Sequence, residues 1–154
     1  MNRTTIERDI AIDAPIEIVW RTVTEPELVR TWFSAAADFS ARPGAAGTLT
    51  FANDGADQPM IVDITVVAAD RPHTFSFRWI YPPGVVPAEG NSMLVTFTLT
   101  ADGEERTLLR VVETGLDALD RSDGDKDTYV EQHRQGWQTH GDKLRDVLSS
   151  QPGT

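Results

Sequence analysis

Three titratable side chains, Glu113, His133 and His140, occupy positions where the sequence pattern otherwise places apolar residues. Glu113 follows Leu109 and Val111 at steps of two, the spacing that puts alternate residues of a strand on one face. A carboxylate on a buried face loses its water, which raises its pKa unless a cation or a hydrogen-bond donor faces it. A pocket with this carboxylate and one or two imidazoles could orient a polar ligand group or transfer a proton.

The same residues have simpler explanations, which stay open at this stage. Glu113 could lie at the exposed end of its strand, and a histidine at the rim of a core is often simply hydrogen-bonded. The sequence therefore identifies no catalytic residue, and it favours a binding protein over an enzyme without deciding between them.

Metal sites are not indicated by the sequence. His133 and His140 are seven residues apart, which separates them by about 10.5 Å along a helix axis, too far for one ion. The acidic run that begins at Asp123 resembles the start of a calcium loop, but its sixth position is Thr128 and its twelfth is Arg134. We therefore expect no metal ion.

The composition excludes further classes of chemistry. The chain has no cysteine, so it has no disulfide, thiolate ligand or cysteine nucleophile. It also has no GxSxG motif, no phosphate-binding glycine loop and no dinucleotide fingerprint. We expect no cofactor.

Charge and hydropathy limit the partners. The chain has 14 Lys and Arg against 24 Asp and Glu, a net charge of -10, which repels nucleic acid and anionic lipid surfaces. No stretch approaches the roughly 18 apolar residues of a membrane span, and the start of the chain does not resemble a secretion signal. We expect a cytoplasmic protein that contacts neither nucleic acid nor membrane, as a monomer or weak homodimer.

A long helix is predicted over residues 125–150. Its apolar positions recur at steps of three and four, which places them on one buried stripe. The stripe consists of Val130, His133, Trp137, His140, Leu144, Val147 and Leu148. Gly136 and Gly141 interrupt the helix at a cost of roughly 1 kcal/mol each relative to alanine. Close approach of a sheet, a groove for a ligand or a bend of the helix would account for them.

The remaining elements are predicted from periodicity and turn residues. A strand at 4–13 precedes a short helix with Asp13 or Ala14 as its cap and Pro15 in its first position. Thr24 is the expected cap of a second short helix. Five strands follow at 47–53, 59–69, 72–81, 91–101 and 105–115, with a hairpin turn at 101–104. This order favours an α+β fold with one domain over residues 1–154 and a core at about 4–150.

The strands place many aromatic and aliphatic side chains on one face, opposite the long helix. We expect these residues to form the wall of an internal cavity, with Glu113 and His133 orienting polar atoms of a ligand; simple core packing is the alternative. The predicted ligand-binding residues are Trp32, Phe33, Phe51, Phe77, Trp79, Met93, Val95, Phe97, Glu113, His133 and Trp137. The proline-rich loop at 81–90 and the two short helices would flank its opening.

Several segments resemble one known family. IAIDAPIEIVWRTVTEPELVRTWF near the start and GWQTHGDKLRDVL near the end are similar to the opening and closing motifs of the activator of heat-shock-protein-90 ATPase homologue-like family. ADRPHTFSFRW and LRVVETGL resemble its middle strands. The resemblance spans about residues 6–149 and places the chain within the SRPBCC (START-like) superfamily.

The resemblance implies a helix-grip fold, in which a curved sheet of six antiparallel strands wraps around the C-terminal helix, with two short helices between strands 1 and 2. It also implies a cavity that binds a small hydrophobic ligand, aromatic or lipid-like. Fold does not fix function, so two alternatives stay open. One is a cyclase-like or hydrolase-like enzyme that uses a pocket carboxylate or histidine. The other is a co-chaperone-like module that binds a protein partner.

Overall fold

The computed structural model describes residues 5–51, 60–80, 92–115 and 123–149. Strands and helices follow one another in the order expected for an α+β fold. They are β1 (Ile6–Ile12), α1 (Ile16–Thr24), α2 (Pro26–Val29), β2 (Ala36–Asp38), β3 (Ala46–Phe51), β4 (Met60–Asp70), β5 (Thr74–Ile80), β6 (Met93–Ala101), β7 (Thr107–Thr114) and α3 (Asp123–Ser149).

The strands form one antiparallel sheet in the order β1-β7-β6-β5-β4-β3-β2. The sheet is curved, and α3 packs against its concave face, so the predicted helix-grip fold is confirmed. The predicted number of six strands was one too low, because the described sheet has seven. The additional strand, β2, pairs with Thr48–Thr50 of β3 and has only three residues, too few for an alternating pattern to be recognised.

Side-chain alternation explains which face of the sheet is buried. In β6 the side chains of Met93, Val95, Phe97 and Leu99 are all at most 2% exposed, whereas the threonines between them face outward. A register shift between Val66 and Ala68 interrupts the pairing of β4 with β5. Such bulges bend and twist a strand, which suits a sheet that wraps around a helix.

The helix caps between β1 and β2 differ from the prediction. Pro15 is the cap of α1 rather than its first helical residue, a shift of one position. Thr24 is the last residue of α1 and does not cap α2, because its hydroxyl donates to the carbonyl of Trp20 at 2.7 Å instead. Glu25 takes the cap position of α2, and Pro26 is the first residue of the helix.

The two interior glycines of α3 have different surroundings. A Cβ built on Gly141 would lie 2.5 Å from Cδ1 of Ile10, so the missing side chain allows α3 to approach β1 closely. A Cβ built on Gly136 would meet no atom of the described residues within 4 Å. The helix is therefore in tight contact with the sheet at β1, whereas the part of the chain that the structure describes leaves space beside Gly136.

The predicted turn at 101–104 is present. Gly103 has a φ of 85°, which favours glycine, and the amide of Asp102 donates to the carbonyl of Arg106 at 2.9 Å. The loop at 81–90, expected beside the cavity opening, lies outside the described residues.

Substitution of the two glycines by alanine tests this packing. Gly136→Ala should raise the free energy of unfolding by about 1 kcal/mol, because alanine is the better helix former and its methyl group enters open space. Gly141→Ala should lower it by roughly 1 kcal/mol, since overpacking against Ile10 outweighs the same gain in propensity. Urea unfolding followed by circular dichroism measures both values. Equal stabilisation by the two variants would contradict the close contact with β1.

Candidate functional site

Glu113 lies on β7 with its side chain directed into the space between sheet and helix. It pairs with Val95 of β6 and with Ile6 of β1, so neighbouring strands flank it on both sides. It is 0% exposed, which rejects the alternative of an exposed strand end. The inward position expected from its phase with Leu109 and Val111 is confirmed.

Four side chains donate hydrogen bonds to this carboxylate. Nδ1 of His133 and Nε1 of Trp137 bond Oε1, both at 2.9 Å. Nε1 of Trp79 bonds Oε2 at 3.0 Å, and the hydroxyl of Tyr129 bonds the same atom at 2.6 Å. Each oxygen thus accepts two bonds, which matches the four acceptor positions of an ionised carboxylate.

These donors decide the charge of the site. Burial by itself raises the pKa of Glu113, but the hydrogen bond and charge of His133, with the bonds from Tyr129 and Trp137, outweigh that effect. The pKa of Glu113 therefore lies below its ordinary value, and the group is a buried carboxylate ion at neutral pH. The sequence indicated that a buried carboxylate at this position needs a cation or a hydrogen-bond donor, but it did not show which residues supply the donors.

Aromatic rings pack beside the carboxylate around Phe33. The rings of Phe33, Trp79 and Trp137 are nearly parallel, with centroid separations of 5.3 to 5.9 Å. Phe51 and His140 contact Phe33 edge to face at 5.4 and 4.9 Å. Both geometries are favourable for aromatic pairs. The turn after α2 thus inserts Phe33 between the sheet and α3.

A small cavity lies beside these packed rings. Among the described residues, a cavity of about 10 Å³ remains, roughly the space that one water centre can occupy. It is lined by Val23, Val29, Trp32, Phe33, Phe39, Leu49, Ile64, Phe75, Phe77 and Phe97. Aromatic side chains thus surround this small cavity, and a ligand-sized hollow between sheet and helix stays a prediction.

One flank of α3 stays partly exposed. Tyr129, His133, Gly136 and His140 follow one another at steps of four, three and four, and all four are only partly buried. The ring of His133 lies 5.9 Å from Trp79, and that of His140 lies 6.4 Å from Phe51. We call this flank of α3, together with the partly buried Phe51 and Trp79, the aromatic mouth.

His140 is the more enclosed of the two mouth histidines. Burial lowers the pKa of its imidazole, and the nearby charges of Lys143 and His133 act in the same direction. A hydrogen bond to the backbone of Trp32 opposes them without reversing the shift. His140 is therefore held in its neutral form among the rings of Phe33 and Phe51.

The predicted ligand-binding residues fall into four groups. Trp79, Glu113, His133 and Trp137 form the hydrogen-bonded centre, and Phe33 and Phe51 pack around it. The rings of Trp32, Phe77 and Phe97 line the small cavity, while Met93 and Val95 are buried in β6 opposite Trp79 and Phe77.

Two residues of the site were absent from the predicted set. Tyr129 was missed although it lies four residues before His133, a spacing that places both on one helix flank. His140 was considered as a second imidazole of the pocket but was not included among the predicted ligand-binding residues. The signal for both was present in the spacing, but only the structure shows that Tyr129 reaches Glu113.

The described residues add two observations about other site types. They contain no group of three or more His, Cys, Asp or Glu residues that could hold a metal ion. None of their helices is both long and apolar enough to cross a membrane.

Comparison with known proteins adds a family and a set of related structures. The model of the family described as Activator of Hsp90 ATPase homolog 1-like protein matches residues 13–149. No curated protein sequence matches the chain.

Three solved structures illustrate the structural similarity. Protein MLL2253 from Mesorhizobium loti is 25% identical with a TM-score of 0.75, and the match covers 96% of this chain and 98% of that one. DynU16, from the dynemicin biosynthetic locus, is 26% identical with a TM-score of 0.74. The match covers 96% of this chain and 48% of the DynU16 chain. An HSP90 activator from Plasmodium falciparum is 16% identical with a TM-score of 0.70, and the match covers 95% of this chain and 96% of the activator. At this identity, the similarity shows the shared fold alone.

Replacing the buried carboxylate by an amide tests its role in stability. Glu113→Gln should lower the free energy of unfolding at pH 7 by roughly 3 to 5 kcal/mol, because an amide nitrogen then faces two of the donors. Glu113 has a lowered pKa in the fold, so its stabilisation is present above pH 4.5 and is lost as the pH falls through the folded value. The difference between the two proteins should therefore shrink in acid.

Urea unfolding at pH 7 and at pH 3 to 4 measures this difference. The exposed Glu105→Gln is the matched control and should change stability by less than about 0.5 kcal/mol. A Glu113→Gln variant as stable as the wild type at pH 7 would contradict the hydrogen-bonded centre.

The neutral His140 predicts a second pH dependence. Its pKa is lowered in the fold, so the unfolded chain takes up the proton first as the pH falls from 7 to 5, and stability decreases. His140→Phe keeps an aromatic ring, and its stability in thermal unfolding should decrease less over this pH range than that of the wild type. The exposed Leu108→Ala changes no titratable group and should retain the wild-type slope. An unchanged slope in His140→Phe would show that His140 does not contribute.

Proposed function

The chain belongs to the family of Activator of Hsp90 ATPase homolog 1-like proteins, and from that membership we propose that it binds a small apolar ligand, aromatic or lipid-like, at the aromatic mouth. The family's SRPBCC fold is a ligand-binding fold. The observation that carries the proposal is the partly exposed flank of α3, where a Cβ built on Gly136 would meet no described atom within 4 Å. His133 and His140 on the same flank lie next to the rings of Trp79 and Phe51.

The unequal packing of α3 supports this location. Gly141 brings the helix against Ile10 on one side, whereas the flank with His133 and His140 faces rings that are only partly covered. A flat apolar guest would cover these rings and remove their remaining surface from water. Open apolar surface with a few fixed polar groups is the usual character of a small-molecule site.

The small cavity determines how deep such a guest reaches. The described cavity of about 10 Å³ does not hold an aromatic ring, so a ligand would have to move Phe33 aside to enter it. Rotamer changes of this kind are common on binding. Burial of 150 to 250 Å² of apolar surface contributes roughly 4 to 6 kcal/mol. The dissociation constant is then on the order of 0.05 to 1 mM.

DynU16 supports a small-molecule guest, since it belongs to a biosynthetic locus. A co-chaperone-like role has less support in the described surface. The exposed large apolar residues Ile61 and Val67 lie on β4 and Leu108 lies on β7, with β5 and β6 between them, so they form no continuous patch. We therefore favour ligand binding over protein binding as the function. We propose no cofactor. The absence of cysteine and of a membrane-spanning helix among the described residues is consistent with a cytoplasmic location.

Filling the open space beside Gly136 tests the location of binding. Gly136→Leu keeps the helix and projects an isobutyl group into the aromatic mouth, so it should weaken binding of naphthalene or indole at least tenfold. Ligand-detected NMR identifies ligands from a hydrophobic panel, and a titration of the indole N–H signals of the protein gives the dissociation constants.

Two matched variants control this experiment. Gly136→Ala adds one methyl group and should have a smaller effect, and Leu108→Ala on the outer face of the sheet should have none. If a fully folded Gly136→Leu binds the panel ligands as tightly as the wild type, the aromatic mouth is not the site.

A further inference from the structure

The carboxylate of Glu113 cannot itself take up a ligand group. Each of its oxygens already accepts two hydrogen bonds from side chains, and the residue is fully buried. A cationic ligand would find no free carboxylate oxygen to pair with, and an anionic ligand would be repelled by the buried charge. The ligand must therefore be recognised by a residue that Glu113 holds in place.

His133 is that residue, and its hydrogen bond assigns its tautomer. An ionised carboxylate only accepts hydrogen bonds, so Nδ1 of His133, 2.9 Å from Oε1, carries the proton. In the neutral form of the imidazole, the lone pair then lies on Nε2, the nitrogen that points away from the bond to Glu113. A carboxylate on one imidazole nitrogen also makes the other a stronger acceptor.

The surroundings of His133 leave this lone pair available. No donor among the described residues bonds Nε2, and 28% of the side chain is exposed. The ring stacks on Tyr129 at 3.7 Å and lies edge to face with Trp79 at 5.9 Å. The result is a single strong acceptor at the border of an aromatic surface.

We propose that the ligand of the aromatic mouth is an aromatic hydroxy compound, whose hydroxyl donates a hydrogen bond to Nε2 of His133 while its ring covers Trp79. This inference rests on the proposed function and narrows the ligand class. A phenolic or naphtholic hydroxyl is a strong, uncharged donor on a flat apolar ring, so it matches both the acceptor and the aromatic surface.

Two ligands of similar shape test the proposal. 2-Naphthol has the hydroxyl donor, and 2-methoxynaphthalene replaces its hydrogen by a methyl group. NMR titration of the wild-type protein should give about tenfold tighter binding of 2-naphthol, the ratio that corresponds to one hydrogen bond to a charge-assisted acceptor.

A histidine variant assigns this preference to Nε2. In His133→Asn, the amide nitrogen can replace Nδ1 as the donor to Glu113, but the acceptor Nε2 is lost. This variant should bind both ligands with the affinity that the wild type has for 2-methoxynaphthalene. The exposed His73→Asn is the control and should keep the tenfold preference. Urea unfolding checks that both variants are folded.

The possible outcomes separate the two proposals. Equal affinities in the wild type, or a preference that persists in His133→Asn, would overturn hydroxyl recognition and leave apolar binding at the mouth intact. If neither naphthalene derivative binds the wild type, both proposals fail. Should His133→Asn not fold, the comparison of the two ligands on the wild type still decides whether the hydroxyl is recognised.

Discussion

The carboxylate of Glu113 and its four donors are the interaction on which the rest of the structure depends. A buried charge without partners would be too costly for a protein of this size, so the donors are a condition for folding in this form. One donor, Trp79, comes from β5, and the other three come from α3. These bonds fix the rotation of α3 about its own axis, because all three of its donors must face the same carboxylate.

That rotation explains the unequal surroundings of the helix. With Trp137 directed at Glu113, Gly141 faces Ile10 on one side and the flank with His133 and His140 faces Phe51 and Trp79 on the other. The first side is closed by contact with β1. Among the described residues, the second side keeps partly exposed rings and no atom within 4 Å of a Cβ built on Gly136. The bonds that stabilise the core are therefore compatible with a partly exposed aromatic mouth.

Most of the fold was predictable from the sequence because it depends on local periodicity. The strand alternation, the stripe of α3 and the turn at Gly103 are properties of neighbouring residues, and they matched. The three-residue β2 was too short to show a period. The hydroxyl of Thr24 could bond either a carbonyl of its own helix or an amide of the next helix, and the sequence does not choose between them. The family motifs, read in order, added the helix-grip topology.

The site was predictable only in part, because its contacts join distant residues. The inward side of Glu113 followed from strand parity, but its partners Trp79 and Trp137 are 34 and 24 residues away. Phe33 lies in a turn, where no periodicity indicates that its ring enters the core and stacks with Trp79 and Trp137.

The location of a bound ligand tests the account most directly. In the complex with naphthalene, we predict intermolecular nuclear Overhauser effects to ring protons of Trp79, Phe51 and His140. Effects confined to outer-face residues such as Leu108 would contradict it.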